Sequence, residues 1–250
     1  MTTKLAGKQW ILSVVAAILA SQAAISSERA GQDPDRGRQA PDRAAFMRQH
    51  FASVMTLHQA VTRGDLTESR RLASEIAARP APAWIAEALQ PYVSRMQAAA
   101  QRISGDAALE DVAASTAAML ATCGDCHRAA GTMPASAVPA APAVGGVVGH
   151  MLEHQRAVDL MVQGLTVPST SAWNEGTATF ASAPLRNKDL PGDPELTRAV
   201  RSAETRVHVL AERARTADDT RARIYVYSEL IQSCATCHTL HHKIWGPRRQ

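Results

Sequence analysis

At 250 residues the chain is long enough for one large domain or two small ones, and its 46% hydrophobic content allows a packed core rather than disorder. Aromatics make up only 4% while alanine is abundant, a balance that favours helices over sheets. The net charge of +4 shrinks to 25 basic against 23 acidic residues once Lys4 and Lys8 are set aside with the leader. No basic stripe with interleaved aromatics occurs, so the chain does not read as a nucleic-acid binder.

Residues 1–23 read as a signal peptide. Lys4 and Lys8 form a positive start, Trp10 to Ala20 is apolar apart from Ser13, and Ser21-Gln22-Ala23 puts small residues where a signal peptidase cuts. The apolar run is shorter than the roughly 20 residues a membrane span needs. An uncleaved anchor reaching Ile25 is the alternative. Either way the mature chain is expected outside the cytoplasm, in the periplasm, where disulfides are permitted.

Residues 24–40, rich in Arg, Asp, Gly and Pro, read as a flexible tether, and residues 132–144 read as an Ala/Pro linker. The two segments they delimit, 41–131 and 145–250, are similar in length, and each carries the motif Cys-x-x-Cys-His near its end, which suggests a duplication.

Helical spacing recurs throughout both segments. In the first, Phe46, Val54, Leu57 and Val61 mark an opening helix that meets Arg63-Gly64-Asp65. A second helix is expected over about Thr67–Ala78. Ile85, Leu89, Tyr92, Met96, Ala99 and Ile103 form a bundle-facing stripe, with Pro91 requiring a kink or a later start. The last helix runs from about Asp106 to Arg128.

The second segment repeats the plan. Val147, Val158, Met161 and Leu165 mark a helix interrupted by Gly164, and Ser171–Ala181 reads as the next. Val200, Val207, Leu210 and Ala214 mark the third, and Ile224, Tyr227, Leu230, Ile231 and Cys234 the last. The expected fold is all-α: two tandem four-helix bundles, each with a C-terminal Cys-x-x-Cys-His motif.

Cys123-Gly124-Asp125-Cys126-His127 and Cys234-Ala235-Thr236-Cys237-His238 account for all four cysteines. Two thiols three positions apart on one helical turn can add to the two vinyl groups of a single haem, and the adjacent histidine then meets the iron as proximal ligand. A redox dithiol needs a thioredoxin-like βαβ context, which the helical pattern lacks. A zinc ribbon places its pairs about 15–20 residues apart, not over a hundred. Two disulfides leave the repeated histidine unexplained. The expected cofactors are therefore two haem c groups, held by Cys123, Cys126, Cys234 and Cys237 with His127 and His238 on the iron.

An attachment motif at the end of a four-helix segment resembles the cytochrome c′ and c-556 family. That resemblance implies a last helix carrying the haem and a first helix supplying or withholding the sixth ligand. The chain departs from the family in offering histidine there. His50 lies fourteen residues before Gly64, and His150 fourteen before Gly164, so the two align as distal ligands on the apolar stripes of their helices. His154, one turn after His150, and His58, two turns after His50, are the alternates. His208, His241 and His242 have no counterparts in the first half, and Met47, Met55, Met151 and Met161 read mainly as core.

The function this implies is electron transfer by a dihaem cytochrome, not an enzyme, working with redox partner proteins in the periplasm or at the outer membrane face. The competing reading is a haem protein with one open iron site for a small gas or peroxide. The family resemblance adds a homodimer as an expected assembly.

Overall fold

Alanine-rich segments with a 3.6-residue apolar repeat lose little side-chain entropy in a helix and bury one face, which is how this chain folds. A computed structural model describes residues 36–134, 140–141, 143–182, 185, 190 and 192–245, with side chains described between 43 and 240. Among these residues the regular structure is eight α-helices and one 3₁₀ turn, without a strand. In chain order they are α1 (Arg36–Thr62), α2 (Leu66–Ala78), the 3₁₀ turn Glu87–Leu89, α3 (Gln90–Ser104), α4 (Leu109–Ala129), α5 (Gly146–Thr166), α6 (Thr170–Ser182), α7 (Pro194–Arg215) and α8 (Thr220–Trp245).

Helix α1 begins at Arg36, inside the segment read as a tether. The rest of that tether, the leader and residues 135–139 and 142 of the Ala/Pro linker lie outside the described residues. Among the described residues no helix is long and apolar enough to cross a membrane.

Local chemistry sets the boundaries. Asp65 caps α2 by accepting the Glu68 N–H at 3.0 Å, and Asp193 caps α7 through Leu196 N–H at 2.8 Å. Pro91 falls in the first turn of α3, where its missing N–H costs nothing, so the helix starts after the 3₁₀ turn instead of kinking. Gly64, at φ +73°, closes α1: its N–H reaches Val61 O at 2.9 Å and the Asp65 N–H reaches Ala60 O at 3.0 Å, a Schellman ending. Gly131, at φ +63°, ends α4 in the same way, with Gly131 N–H on Arg128 O and Thr132 N–H on His127 O. The first Cys-x-x-Cys-His motif thus occupies the last turns of its helix.

Gly164 does a different job. It lies within α5, which continues to Thr166, and a Cβ there would stand 2.8 Å from Trp173 Cβ and 3.0 Å from Trp173 Cα. Glycine lets α5 and α6 touch backbone to side chain; it does not end a helix. The two glycines that align by spacing are therefore not structural equivalents.

The chain divides into two units at the step from Phe51 to Ala52, inside α1. Within the larger unit, α2, α3 and α4 pack in sequence, as do α5, α6, α7 and α8. Helix α4 also lies against α5 and α8, and Gln232 of α8 donates to Glu110 of α4 at 3.1 Å. The buried apolar residues from Val54 to Ile231 form one cluster that draws on both halves of the sequence. Trp173 sits in it fully buried, its indole N–H donated to Ala214 O at 2.9 Å.

Candidate functional site

A helix leaves its last carbonyls without intrahelical partners, and each must find a donor elsewhere. At the end of α1, Arg63 N–H serves Gln59 O, and the Schellman pair serves Ala60 O and Val61 O. The Thr62 carbonyl is taken by His238, whose Nδ1–H donates to it at 2.8 Å. At the end of α5, Val167 N–H serves Gln163 O, and His127 donates its Nδ1–H to Thr166 O at 2.9 Å. The two motif histidines, on α4 and α8, thus make the same bond to the last residue of α5 and α1 respectively.

This arrangement suits an iron ligand. A neutral imidazole that donates from Nδ1 keeps its lone pair on Nε2, and a backbone carbonyl as second partner fixes both tautomer and ring orientation. The four cysteines are free thiols, paired on single turns of α4 and α8. Burial pushes Cys123 up to about 12, with neighbouring Cys126 adding to it, and Cys234 up to about 12, with Cys237 adding likewise. Burial raises Cys126 and Cys237 as well. A dithiol oxidoreductase needs the reverse, a thiol pulled down to a thiolate. The donor set fits covalent haem attachment better than thiol exchange.

A second group of side chains stands beside the α8 motif. His150 and His154 of α5 and Glu204 of α7 bring ligand atoms within 4.8 Å of one another and could hold a metal ion. Glu204 accepts from His150 Nε2 at 3.2 Å and from His208 Nε2 at 3.1 Å. Burial pushes the Glu204 carboxyl upward, but the hydrogen bond and charge of His150, with His154 and His208 behind them, outweigh it and hold the group at about 2. Burial brings His154 down to about 4, helped by His150 and modulated by Glu204, His208 and His238. Its Nε2 is buried without a hydrogen-bond partner, and its ring meets Phe180 edge-on at 5.0 Å. The field of Glu204 also reaches Cys234 and Cys237, which ties this cluster to the second motif.

The remaining sequence candidates fall elsewhere. His50 lies on α1 in the smaller unit, its ring stacked on Phe46 at 6.1 Å. His58 is buried and shares a 2.8 Å hydrogen bond with the Tyr227 hydroxyl, so its Nε2 has a core partner. Met161 is fully buried and Met55 packs against the core, as the periodicity predicts. The side chains of His241 and His242 lie outside the described residues. Glu204 escaped the sequence reading, although its i,i+4 spacing to His208 was the signal that could have found it.

Desolvation lowers His58 from 6.5 to about 4. The folded chain then binds fewer protons than the unfolded one, so this contribution to stability is present above pH 6.5 and lost as pH falls towards 4. The loss amounts to about 3 kcal/mol in all. In His58→Gln, which keeps a polar partner for Tyr227, urea denaturation across pH 4–6.5 is expected to show that much less acid sensitivity. An unchanged slope would assign the effect to other groups.

Comparison with protein-family models, curated proteins and solved structures finds no match to this chain.

Proposed function

We propose that this chain is an exported c-type cytochrome that holds two haems covalently and carries electrons between partner proteins. The observation that carries the reading is the matched pair of histidine bonds. Two Cys-x-x-Cys-His motifs stand on helices, and in each the imidazole gives its Nδ1–H to a helix-end carbonyl. A chance cysteine pair has no need of that second partner, whereas a proximal ligand does.

Bound haem supplies a one-electron iron couple. The chain's part is to hold and tune it: Cys123 and Cys126 with His127 at one site, Cys234 and Cys237 with His238 at the other. The packing of α4 on α8 keeps the two motifs on neighbouring helices, which favours electron exchange between the sites. In this reading the halves are two four-helix sets, α1–α4 and α5–α8, descended from one.

The matched bonds also set the register between the halves. They pair Thr62 with Thr166, and His50 and His154 each lie twelve residues before their threonine. On that register His50 and His154 would be the residues to hold the iron on its other side, and Phe46 takes the sequence position of His150. His150 and His208 then bracket Glu204 as a polar surround. Histidine on both sides of the iron gives a lower potential than histidine with methionine, since a thioether favours the ferrous state. Export to the periplasm rests on the leader, and a homodimer on the family resemblance.

Mass spectrometry of protein matured by a cytochrome c assembly system is expected to show two added haems. The pair Cys123→Ala/Cys126→Ala should leave one, and so should Cys234→Ala/Cys237→Ala. A chain without covalent haem would end the proposal. Two haems with a high-spin ferric spectrum would favour the open-site reading, with a gas or peroxide as ligand.

A further inference from the structure

We infer that each half of the chain positions the other half's proximal imidazole, so that neither haem site is complete within its own half. This rests on the dihaem reading above. His127 belongs to the first half by sequence, yet its Nδ1–H acceptor is Thr166 at the end of α5. His238 belongs to the second half, and its acceptor is Thr62 at the end of α1.

The same helix ends touch the residue after each first cysteine. A Cβ built on Gly124, next to Cys123, would stand 2.1 Å from Leu165 O, so α5 closes directly onto the backbone of the first motif. At the other crossing the glycine is on the opposite partner. A Cβ on Gly64 would stand 3.2 Å from the carbonyl of Ala235, next to Cys234, and 2.7 Å from Thr239 Oγ1. In both places a missing side chain lets a helix end approach the turn that carries the imidazole. That approach is what brings the carbonyl within hydrogen-bond reach.

The chemistry of the acceptor adds to the geometry. A carbonyl at a helix C-terminus carries part of the helix's negative end. Donation to it strengthens the imidazole as an electron donor and favours ferric iron. Thr62 and Thr166 are positioning residues acting through their backbones. Because the acceptors are exchanged, a change of packing in one half is read as a change of potential in the other.

Gly64→Ala in the full-length, haem-loaded protein separates crossed from local control. The substitution lies in the first half, but the added methyl and the strained positive φ push the end of α1 from α8. The haem on Cys234 and Cys237 is expected to respond, with its oxidised-to-reduced ratio at fixed potential falling by up to about tenfold. The haem on Cys123 and Cys126 should keep its potential. A response of the first haem alone, of both equally, or of neither overturns the inference.

Nuclear magnetic resonance on the unmutated, reduced protein gives a second decision that does not depend on how the variant folds. The His238 Nδ1–H should exchange slowly and show contacts to Thr62 and Arg63, and the His127 Nδ1–H contacts to Thr166 and Val167. Contacts confined to the histidine's own half, or fast exchange with water, overturn it. Haem counts by mass on the same samples distinguish this failure from failure of the dihaem reading, because the imidazole contacts decide the crossing whatever the count.

Discussion

His154→Ala is expected to convert the iron at the second attachment site from six-coordinate low spin to five-coordinate high spin, and to open it to carbon monoxide when reduced. Three observations favour His154 over its neighbour. It lies twelve residues before Thr166, as His50 lies twelve before Thr62, so the two occupy the same register relative to the carbonyls that hold His238 and His127. Its Nε2 is buried without a hydrogen-bond partner, a costly arrangement unless something else uses the lone pair. His150, whose ring centroid is 4.1 Å from that of His154, already has a partner in Glu204.

His150→Ala should therefore leave the spectrum low-spin, while His50→Ala should open the first site alone. Each change removes a buried or half-buried ring, so some stability is lost in every case, and spin state is the deciding readout. A low-spin His154→Ala together with a high-spin His150→Ala would return the ligand role to His150. Carbon monoxide titration of the reduced variants checks the same point independently.

The helices themselves were legible because apolar period, capping residues and proline act over a few residues. Thr67–Ala78 and Ser171–Ala181 were expected, and Leu66–Ala78 and Thr170–Ser182 are found. Pro91 announced a boundary, and it falls in the first turn of α3. What sequence spacing mistook was the role of glycine. Gly64 is needed for its positive φ, Gly164 for the space that Trp173 fills, and both needs leave the same letter in the sequence.

The proposed pairing of His50 with His154 in place of His150 follows from that difference and from the helix-end carbonyls that the motif histidines meet. The exchange of helix ends between halves was not legible at all. A stripe of apolar residues says that a face is buried, not which helix buries it. Glu204 was hidden for a related reason: a carboxylate on a strongly amphipathic helix reads as solvated until the fold brings His150 to it. The Cys-x-x-Cys-His motifs needed no fold to be found, since both thiols and the imidazole are placed by one turn of helix.

Trp173→Ala is expected to cost about 4 kcal/mol of unfolding free energy, a large share of the roughly 5–15 kcal/mol a folded domain has. The indole is fully buried where α5, α6, α7 and α8 meet, with Tyr227 at 6.4 Å and the Arg223 guanidinium 5.1 Å from its ring. Truncation leaves a cavity that the surrounding packed helices close only in part.

The indole hydrogen bond contributes the smaller part. Ala214 O also accepts the Ala217 N–H at 3.2 Å, so Trp173→Phe leaves no unsatisfied carbonyl and should cost about 1 kcal/mol beyond the volume it removes. Gly164→Ala attacks the same contact from the other side and should cost about 1–3 kcal/mol by overpacking. The double variant distinguishes ring from backbone. The atoms a new Cβ would strike at 164 are Trp173 Cβ, Cα and N, all of which alanine retains. Trp173→Ala therefore should leave the Gly164→Ala clash in place, and the double variant should be less stable than either single one. Urea denaturation followed by circular dichroism measures each. Substantial rescue in the double variant would mean that the indole ring, not the closeness of the two helices, sets the space at Gly164.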